Sequence, residues 1–363
     1  MSAATRVAVV GLGKITQLHH LPALVREDDV EIVALCDLSE SLARTLAVEC
    51  GLDESVATTS AAGALARSPD AIVIATTHHG PTLAAAVAAG IPAFVEKPCT
   101  WGVDEADAVI AAADAAEVLV QVGYVKQFDP AVQRLRAETV AGPPPRHARV
   151  HNFAGGRHRY ERIHRVRKPD GDLAPSGPPE RETVAAIIER NLGSADPERI
   201  AALQTLALLA IHDLNLVRWM WGDPAEVAVS SRGSADGRCF LITLGYASHQ
   251  VTLEVLADFS TPRDWDEHLA VYGRDGCREV IFGSPFHRTS PSTLAHRYAD
   301  GTQVRDDRVI VSYESAFDRQ MRSFLDDVQK GSGHGPGQGH GPGLREARDD
   351  LALVYRLARE AEL

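Results

Sequence analysis

Two short motifs place chemically capable groups directly after apolar runs of the chain. Gly11-Leu12-Gly13-Lys14-Ile15 follows residues 6–10, and Glu96-Lys97-Pro98 follows residues 91–95. A glycine turn that opens a helix offers unpaired N–H groups and a positive dipole end to the pyrophosphate of a dinucleotide. Lys97 brings an ammonium group to the place where the nicotinamide ring of such a cofactor should lie. Together the two motifs predict hydride chemistry.

The glycine turn and the strand after it predict which dinucleotide binds. Gly11 permits a sharp turn, and Gly13 has no side chain to keep a pyrophosphate from the backbone. Thr16 stands where the usual fingerprint has its third glycine. Asp37 ends the next predicted strand, about 20 residues further on, as the fingerprint requires. Its carboxylate would accept hydrogen bonds from the adenosine ribose hydroxyls and repel a 2′-phosphate, which predicts NAD rather than NADP. A second and compatible interpretation is that Asp37 caps the following helix.

The elements that must position these residues alternate through about residue 122. Five predicted strands, separated by helices rich in alanine and leucine, lie at residues 6–10, 31–36, 70–76, 91–95 and 118–122. This alternation is typical of a doubly wound parallel sheet, whose ligands bind at the carboxyl ends of the strands. We therefore predict that the cofactor site comprises Gly11, Gly13, Lys14, Ile15, Asp37, Thr76, Thr77, Glu96 and Lys97.

The second half of the chain has a different pattern. Residues 237–260 and 267–282 contain β-branched and aromatic runs separated by glycine turns, which predicts antiparallel strands. Asp196-Pro197 is typical of a helix start, and that helix is predicted to continue to about Trp221. Residues 331–343 are rich in glycine, proline and histidine, which indicates a flexible loop; a metal site at His334 and His340 is the less favoured alternative. An amphipathic helix is predicted from about Leu344.

Composition limits the class of protein. The 363 residues suffice for two domains, and a net charge of −12 argues against nucleic-acid binding. Five cysteines without a CxxC pair fit reduced thiols in the cytoplasm. We find no signal peptide or long uncharged apolar stretch, so we expect a cytoplasmic protein with no membrane partner.

Several segments together resemble one known family. They are GLGKI followed by His20-Leu21-Pro22, the strand ending at Asp37, Glu96-Lys97-Pro98, Gly123-Tyr124 with Phe128-Asp129-Pro130, Ile211-His212-Asp213-Leu214 and residues 312–317. Over nearly its whole length the chain resembles the Gfo/Idh/MocA oxidoreductases. The resemblance implies an α/β protein: an N-terminal Rossmann dinucleotide-binding domain, then an α+β domain with a large open, mainly antiparallel sheet that often forms an oligomer interface. It also implies a nicotinamide cofactor and a sugar, cyclitol or related substrate.

We accordingly expect an NAD-binding domain at residues 1–122 and a substrate-binding and oligomerisation domain at 123–343. Residues 344–363 would form a helix that packs back on the first domain, in a homodimer or homotetramer. The resemblance assigns Lys97 as the catalytic residue that polarises the reacting oxygen, and His212 as the proton carrier. Tyr124, Lys126 and Asp213 are predicted to bind substrate, and no metal is expected. The alternatives are a surface lysine at 97 and a structural histidine at 212.

One departure from the family pattern concerns His212. The family places an aspartate four residues earlier, one helical turn away, where this chain has Leu208. Asp213 is rotated by about 100° around the helix and is not a simple substitute. Leucines and isoleucines surround His212 in sequence, so we expect a helix buried nearly all round.

The sequence leaves two questions open. An NAD-dependent enzyme that cleaves glycosides by transient oxidation and a non-catalytic sensor of NAD or sugar are alternative functions. The basic run 157–168 in this acidic chain is interpreted as a solvated or interface segment, or else as a contact for an anionic substrate group such as a phosphate.

Overall fold

The chain forms two units in the computed structural model, which describes residues 4–155, 158–174, 183–230, 238–259, 265–331 and 341–361. The first unit comprises residues 1–123, 161–191 and 317–349, and the second comprises 124–160, 192–316 and 350–363. The predicted boundary after residue 122 thus lies one residue from the observed one. The predicted segments 123–343 and 344–363 are each shared between the two units, because the chain returns twice to the first unit.

A six-stranded parallel sheet forms the centre of the first unit. Its strand order is β3-β2-β1-β4-β5-β6. Val7, Ala8 and Val9 of the central strand are fully buried, so both faces of that strand are covered, as in doubly wound sheets. The strands are β1 Thr5–Val10, β2 Val30–Cys36, β3 Ala57–Thr58, β4 Ala71–Ile74, β5 Ala93–Val95 and β6 Val120–Val122.

Helices connect these strands and complete the second unit. In the described part of the chain they are α1 Leu21–Val25, α2 Glu40–Glu49, α3 Ala61–Leu65, α4 Gly80–Ala88, α5 Val103–Ala116, α6 Pro130–Ala141, α7 His158–Ile163, α8 Val184–Leu192, α9 Pro197–Thr205, α10 Ile211–Trp221, α11 Ala316–Lys330 and α12 Leu344–Glu360. The short segments Thr16–His20 and Leu206–Ala210 are π-helical and run directly into α1 and α10. Met321, Phe324 and Leu325 of α11 join the core beneath β1 and β2.

An eight-stranded sheet dominates the second unit. Its order is β14-β13-β12-β11-β7-β10-β9-β8, and its pairs are antiparallel except β7 with β10. The prediction of a mainly antiparallel sheet is therefore confirmed. The strands are β7 His147–Gly155, β8 Glu226–Ser230, β9 Cys239–Gly245, β10 Gln250–Phe259, β11 Trp265–Tyr272, β12 Cys277–Ile281, β13 Thr293–Asp300 and β14 Gln303–Ile310.

The predicted helix after Asp196-Pro197 is confirmed, except that its middle is π-helical. The Asp196 side chain accepts a hydrogen bond from the Glu198 N–H, and helical structure continues to Trp221 through the π-helical segment. Among the described residues, the stretch Pro197–Trp221 is long and apolar enough to cross a membrane, judged by length and composition alone. However, 61% of its most apolar 18-residue segment is buried inside the structure, as in the core helix of a folded domain.

Candidate functional site

The predicted cofactor residues lie in a row along one edge of the parallel sheet. Val10 is paired with Cys36 and with Ile74, and Val95 is paired with Ile74 and with Val122. Four neighbouring strands therefore end level with β1. The residues that follow these ends are Gly11, Asp37, Ala75, Glu96 and Gly123. Because β1 and β4 lead to opposite halves of the sheet, this edge includes the switch point at which such sheets bind ligands.

The two glycines of the turn have different structural roles. Gly11 has a φ of +94°, and a Cβ there would lie 2.6 Å from the carbonyl carbon of Ala75. Both the backbone conformation and the space thus require glycine. A Cβ on Gly13 would meet nothing within 4 Å, so the protein itself does not require glycine at 13. The helix begins at Lys14, directly after this open position. The arrangement fits a pyrophosphate that lies on the helix N-terminus.

Asp37 holds the loop after β2 against the glycine turn. Its Oδ2 accepts a hydrogen bond of 2.9 Å from the Leu12 N–H, and its Oδ1 accepts one of 3.1 Å from the Ser39 N–H. Each carboxylate oxygen has a further lone pair for a ribose hydroxyl. The alternative prediction, that Asp37 caps the next helix, is wrong: the N-cap of α2 is Ser39, whose hydroxyl accepts from the Leu42 N–H.

A segment from the basic run lies along the same edge of the first unit. We call residues 161–174 the strap. Glu161 forms an ion pair of 2.5 Å with Lys14, which lowers the pKa of the Glu161 carboxyl to about 2. Further along the strap, the Arg167 N–H donates to Gln17, and Asp172 accepts from the Ser39 hydroxyl. Part of the predicted solvated or interface segment thus binds its own Rossmann unit. Arg157 and the side chains of residues 158–160 lie outside the described part of the chain, as do His334 and His340.

A buried hydrogen-bond network surrounds Lys97. Glu96 accepts a bond of 2.8 Å from His20 Nε2, and its carboxyl group lies where a Cβ on Gly123 would come within 3.0 Å of it. Burial acts to raise the pKa of the Glu96 carboxyl, but the His20 hydrogen bond and nearby positive charges lower it below its ordinary value. Glu96 is therefore a carboxylate at neutral pH. It also accepts from the Lys97 N–H at 3.3 Å, which fixes the backbone that carries the lysine.

His79 fixes the backbone on the other side of Lys97. Its Nδ1–H donates to the Pro98 carbonyl at 2.7 Å, and the Lys97–Pro98 peptide bond is cis. Burial lowers the pKa of His79 to about 4, so the ring is neutral at physiological pH. Nearby, the Thr76 hydroxyl bonds to the His78 carbonyl, and Trp101 Nε1 donates to the Thr77 carbonyl. The loop after β4 is thus held by side-chain bonds, while Thr77 itself is exposed.

Tyr124 and His212 lie together in the second unit. Their ring centroids are 6.3 Å apart with an interplanar angle of 87°, an edge-to-face contact, and Tyr124 is buried while His212 is partly exposed. The expectation that the helix is buried nearly all round is wrong at Leu208, which is 51% exposed. The segment directly before this helix, Leu206–Ala210, is π-helical, and the Ile211 N–H donates to the Leu206 carbonyl five residues earlier. Leu208 and Ala207, which lie four and five residues before His212, are not acidic.

Lys126 and Asp213 form a buried ionic cluster. The Lys126 ammonium contacts the carboxylates of Asp213 and of Glu267, and Asn152 Nδ2 donates to both at 2.6 Å and 2.9 Å. Asp213 is fully buried. Burial acts to lower the pKa of Lys126, but the two carboxylates raise it above its ordinary value; burial and the charge of Asp213 raise the pKa of Glu267. The Lys126 ammonium is therefore shared by the carboxyl groups of Asp213 and Glu267.

The cluster fixes the rotation of α10. Asp213 is the residue next to His212, and its carboxylate is held by Asn152 of β7 and by Lys126, whose ammonium also contacts Glu267 of β11. The residues predicted from the sequence include Lys126 and Asp213 but not Asn152 or Glu267. The available signal was a polar residue at an inward position of an alternating strand: Glu267 precedes the fully buried Leu269, and Asn152 follows the buried Val150.

Together, these features define a class of protein. A parallel sheet in this strand order, with a glycine turn at the switch point and an acid after the second strand, is a dinucleotide-binding Rossmann domain; here it is joined to an α+β unit. Residues 5–124 match the family described as "Oxidoreductase family, NAD-binding Rossmann fold". Inositol 2-dehydrogenase of Ralstonia nicotianae is 24% identical over 350 residues, which cover 91% of this chain and 88% of that protein. The first unit of the chain thus matches the Gfo/Idh/MocA oxidoreductases, an NAD-binding family, and the chain is similar over nearly its whole length to an inositol 2-dehydrogenase.

Solved structures share the fold over the whole chain. UDP-N-acetylglucosamine 3-dehydrogenase GnnA from Acidithiobacillus ferrooxidans superimposes with a TM-score of 0.71 at 20% identity, covering 99% of both chains. An oxidoreductase from Agrobacterium radiobacter, solved in complex with NAD+, L-tartaric acid and magnesium, has a TM-score of 0.68 at 16% identity and covers 98% of this chain and 96% of that one.

Proposed function

We propose that this protein is an NAD-dependent dehydrogenase that transfers a hydride between nicotinamide and a secondary alcohol or ketone of a cyclitol, sugar or sugar derivative. The observation that carries the proposal is the row of Gly11, Asp37, Thr76 and Glu96-Lys97 at the carboxyl edge of the parallel sheet. The relatives named above act on inositol and on a UDP-sugar, which supports a polyol-like substrate.

The residues along this edge fit a dinucleotide. The open position at Gly13 and the helix that begins at Lys14 would hold the pyrophosphate, and Asp37 would accept the ribose hydroxyls. The same carboxylate would leave a 2′-phosphate beside a like charge, which favours NAD over NADP. When bound, the nicotinamide supplies the acceptor or donor of the hydride.

Lys97 and His212 have complementary roles in this proposal. The Lys97 ammonium hydrogen-bonds the reacting oxygen and stabilises the negative charge that develops on it. His212 takes the hydroxyl proton during oxidation and returns it during reduction. The Glu96, His20 and His79 bonds hold the backbone around Lys97, while the Asp213 cluster holds the helix that carries His212. Both groups are therefore presented on fixed backbone, as such catalysis requires.

The test is NADH formation, followed by absorbance, with inositol isomers, free sugars and UDP-sugars as substrates. Lys97→Met should leave NADH affinity within a few-fold but lower kcat about a hundredfold or more, because it removes a donor used in the transition state. Lys330→Met is the matched control, since Lys330 is an exposed lysine of α11 that forms a surface pair with Asp326. Near-normal turnover of Lys97→Met would refute the proposed role of Lys97.

The same assay separates the alternatives. Cleavage of a glycoside without net NADH would indicate transient oxidation with the cofactor recycled. Cofactor and sugar binding without turnover on any substrate class would indicate a sensor. Either result would overturn the proposed dehydrogenase activity while leaving the cofactor site intact.

A further inference from the structure

Two histidines and an aspartate converge on one face of the large sheet. His151 of β7 lies directly opposite His268 of β11 in the strand register, and Asp266 is two residues before His268, so the three share one face. Asp266 Oδ1 is 2.9 Å from His268 Nε2, and Asp266 Oδ2 is 3.5 Å from His151 Nε2. One ligand atom from each of the three residues lies within 4.8 Å of the others. The proposed dehydrogenase chemistry uses none of these side chains.

The outer nitrogens of both rings are held by glutamates. His151 Nδ1 lies 2.8 Å from Glu254 Oε2, and His268 Nδ1 lies 3.0 Å from Glu279 Oε1. A carboxylate accepts, so each Nδ1–H donates, and each Nε2 points towards Asp266. A carboxylate on the far nitrogen is the usual second partner of a metal-binding histidine, because it fixes the ring and leaves the near nitrogen to bind the ion.

The separations and the access also suit a metal ion. Zinc–nitrogen and zinc–oxygen bonds of about 2.0–2.2 Å place neighbouring ligands of a tetrahedral ion roughly 3.3 Å apart, between the two separations measured here. The Asp266 and His268 side chains are 38% and 31% exposed, so a hydrated ion can reach them. Three carboxylates surround the two rings, and among the described residues Arg149 pairs with one of them, Glu254.

We propose that His151, Asp266 and His268 bind a divalent transition-metal ion, with water in the remaining coordination positions. Two imidazoles and one carboxylate suit zinc, nickel, cobalt or iron(II) rather than magnesium or calcium, which prefer oxygen ligands alone. The ion would join β7 to β11. On the opposite face of these strands, Asn152 donates to Asp213 of the helix that carries His212, so the site would stabilise the sheet without touching substrate.

The experiment uses the full chain treated with a chelator and dialysed. Zinc is added in a calorimetric titration, and cobalt(II) in a parallel absorbance titration that distinguishes nitrogen and oxygen ligands from thiolates. Both titrations are done in a His334→Ala/His340→Ala background, which removes the histidines of the glycine-rich sequence at 331–343. We expect one ion per chain, a cobalt spectrum without thiolate character, and a Tm that rises by several degrees with zinc.

Variants locate the ion. His151→Gln, His268→Gln and Asp266→Asn should each abolish or weaken binding more than tenfold, and Glu254→Gln should weaken it about tenfold through the ring it orients. His147→Gln is the matched control, since His147 is on the same strand and the same face but bonds to Thr252. Folding of each variant is checked by circular dichroism. Zinc binding that is absent in the parent protein, or unchanged in folded His151→Gln and His268→Gln proteins, would overturn the proposal.

Discussion

Replacement of Lys126 by methionine tests whether the buried ionic cluster supports the second unit. The side chains of Lys126, Asp213 and Glu267 are 11%, 0% and 3% exposed. Methionine fills similar space but leaves two buried carboxyl groups beside neutral donors: Asn152, which bonds to both, and Trp265, which bonds to Glu267. Removal of one partner from a buried pair costs about 3–5 kcal/mol, because the remaining charge is uncompensated. For a unit of this size we expect the Tm to fall by roughly 10 °C.

The pH dependence of that loss is specific to an ionic role. Without the ammonium, burial and the charge of Asp213 favour the protonated form of Glu267. Stability that depends on a carboxyl whose pKa is raised by folding is present at low pH and is lost as pH rises through the folded-state pKa. The Tm deficit of Lys126→Met should therefore be small at pH 5 and full at pH 8. Because burial already raises the pKa of Glu267, Glu267→Gln should cost much less than Lys126→Met.

Thermal unfolding followed by circular dichroism at several pH values measures both effects. Lys330→Met, an exposed lysine in a surface pair, should shift the Tm by no more than about 2 °C at any pH. A Lys126→Met deficit that is the same at pH 5 and pH 8 would refute the ionic explanation and indicate lost packing instead. A deficit as small as that of Lys330→Met would show that the cluster contributes nothing to stability.

Three further predictions concern the predicted cofactor residues at the carboxyl edge of the parallel sheet and the strap beside them. Gly13→Ala should leave the Tm within about 2 °C, because the added Cβ meets open space in the protein, yet weaken NADH binding at least tenfold, because that space is where the pyrophosphate would lie. Gly11→Ala should lower the Tm, because its Cβ collides with Ala75. Asp37→Asn should lower the ratio of the Kd for NADPH to the Kd for NADH about tenfold in fluorescence titrations. An unchanged ratio would show that Asp37 does not set the cofactor preference. Glu161→Gln should tighten NADH binding several-fold, since it removes the carboxylate that pairs with Lys14; weaker binding would show that the strap supports the bound cofactor.

The position of Gly11 and Asp37 at one edge of the parallel sheet was predictable because the signals are local in sequence. A glycine turn directly follows a buried strand, and an acid ends the next strand, so the strand register alone brings Gly11 and Asp37 side by side. The two-residue strand β3 was missed because it is too short to show an alternating pattern. The Asp37 cap was mispredicted because Ser39, two residues later, competes for the same role.

The second unit was harder to predict because its contacts join distant strands and helices. The partners of Lys126 are 87 and 141 residues away, and no local period indicates that pairing. A regular α-helical period predicts that the helix of His212 is buried nearly all round, whereas the structure has a π-helical turn at 206–210 and exposes Leu208. The predicted roles of Lys97, His212, Tyr124, Lys126 and Asp213 towards substrate stay predictions, as does the oligomeric state.

The return of the chain to its first unit has a consequence for protein engineering. The edge of β6 is covered by a distant segment, because the Val122 N–H donates to the Pro342 carbonyl and Gln121 bridges to Gly343. Phe324 and its neighbours fill the core beneath the first two strands. A fragment cut after Gly123 would expose an unpaired strand edge and a hole lined by leucines, and it should aggregate. Chimeras that exchange nucleotide specificity between relatives therefore need at least three crossover points, not a single junction.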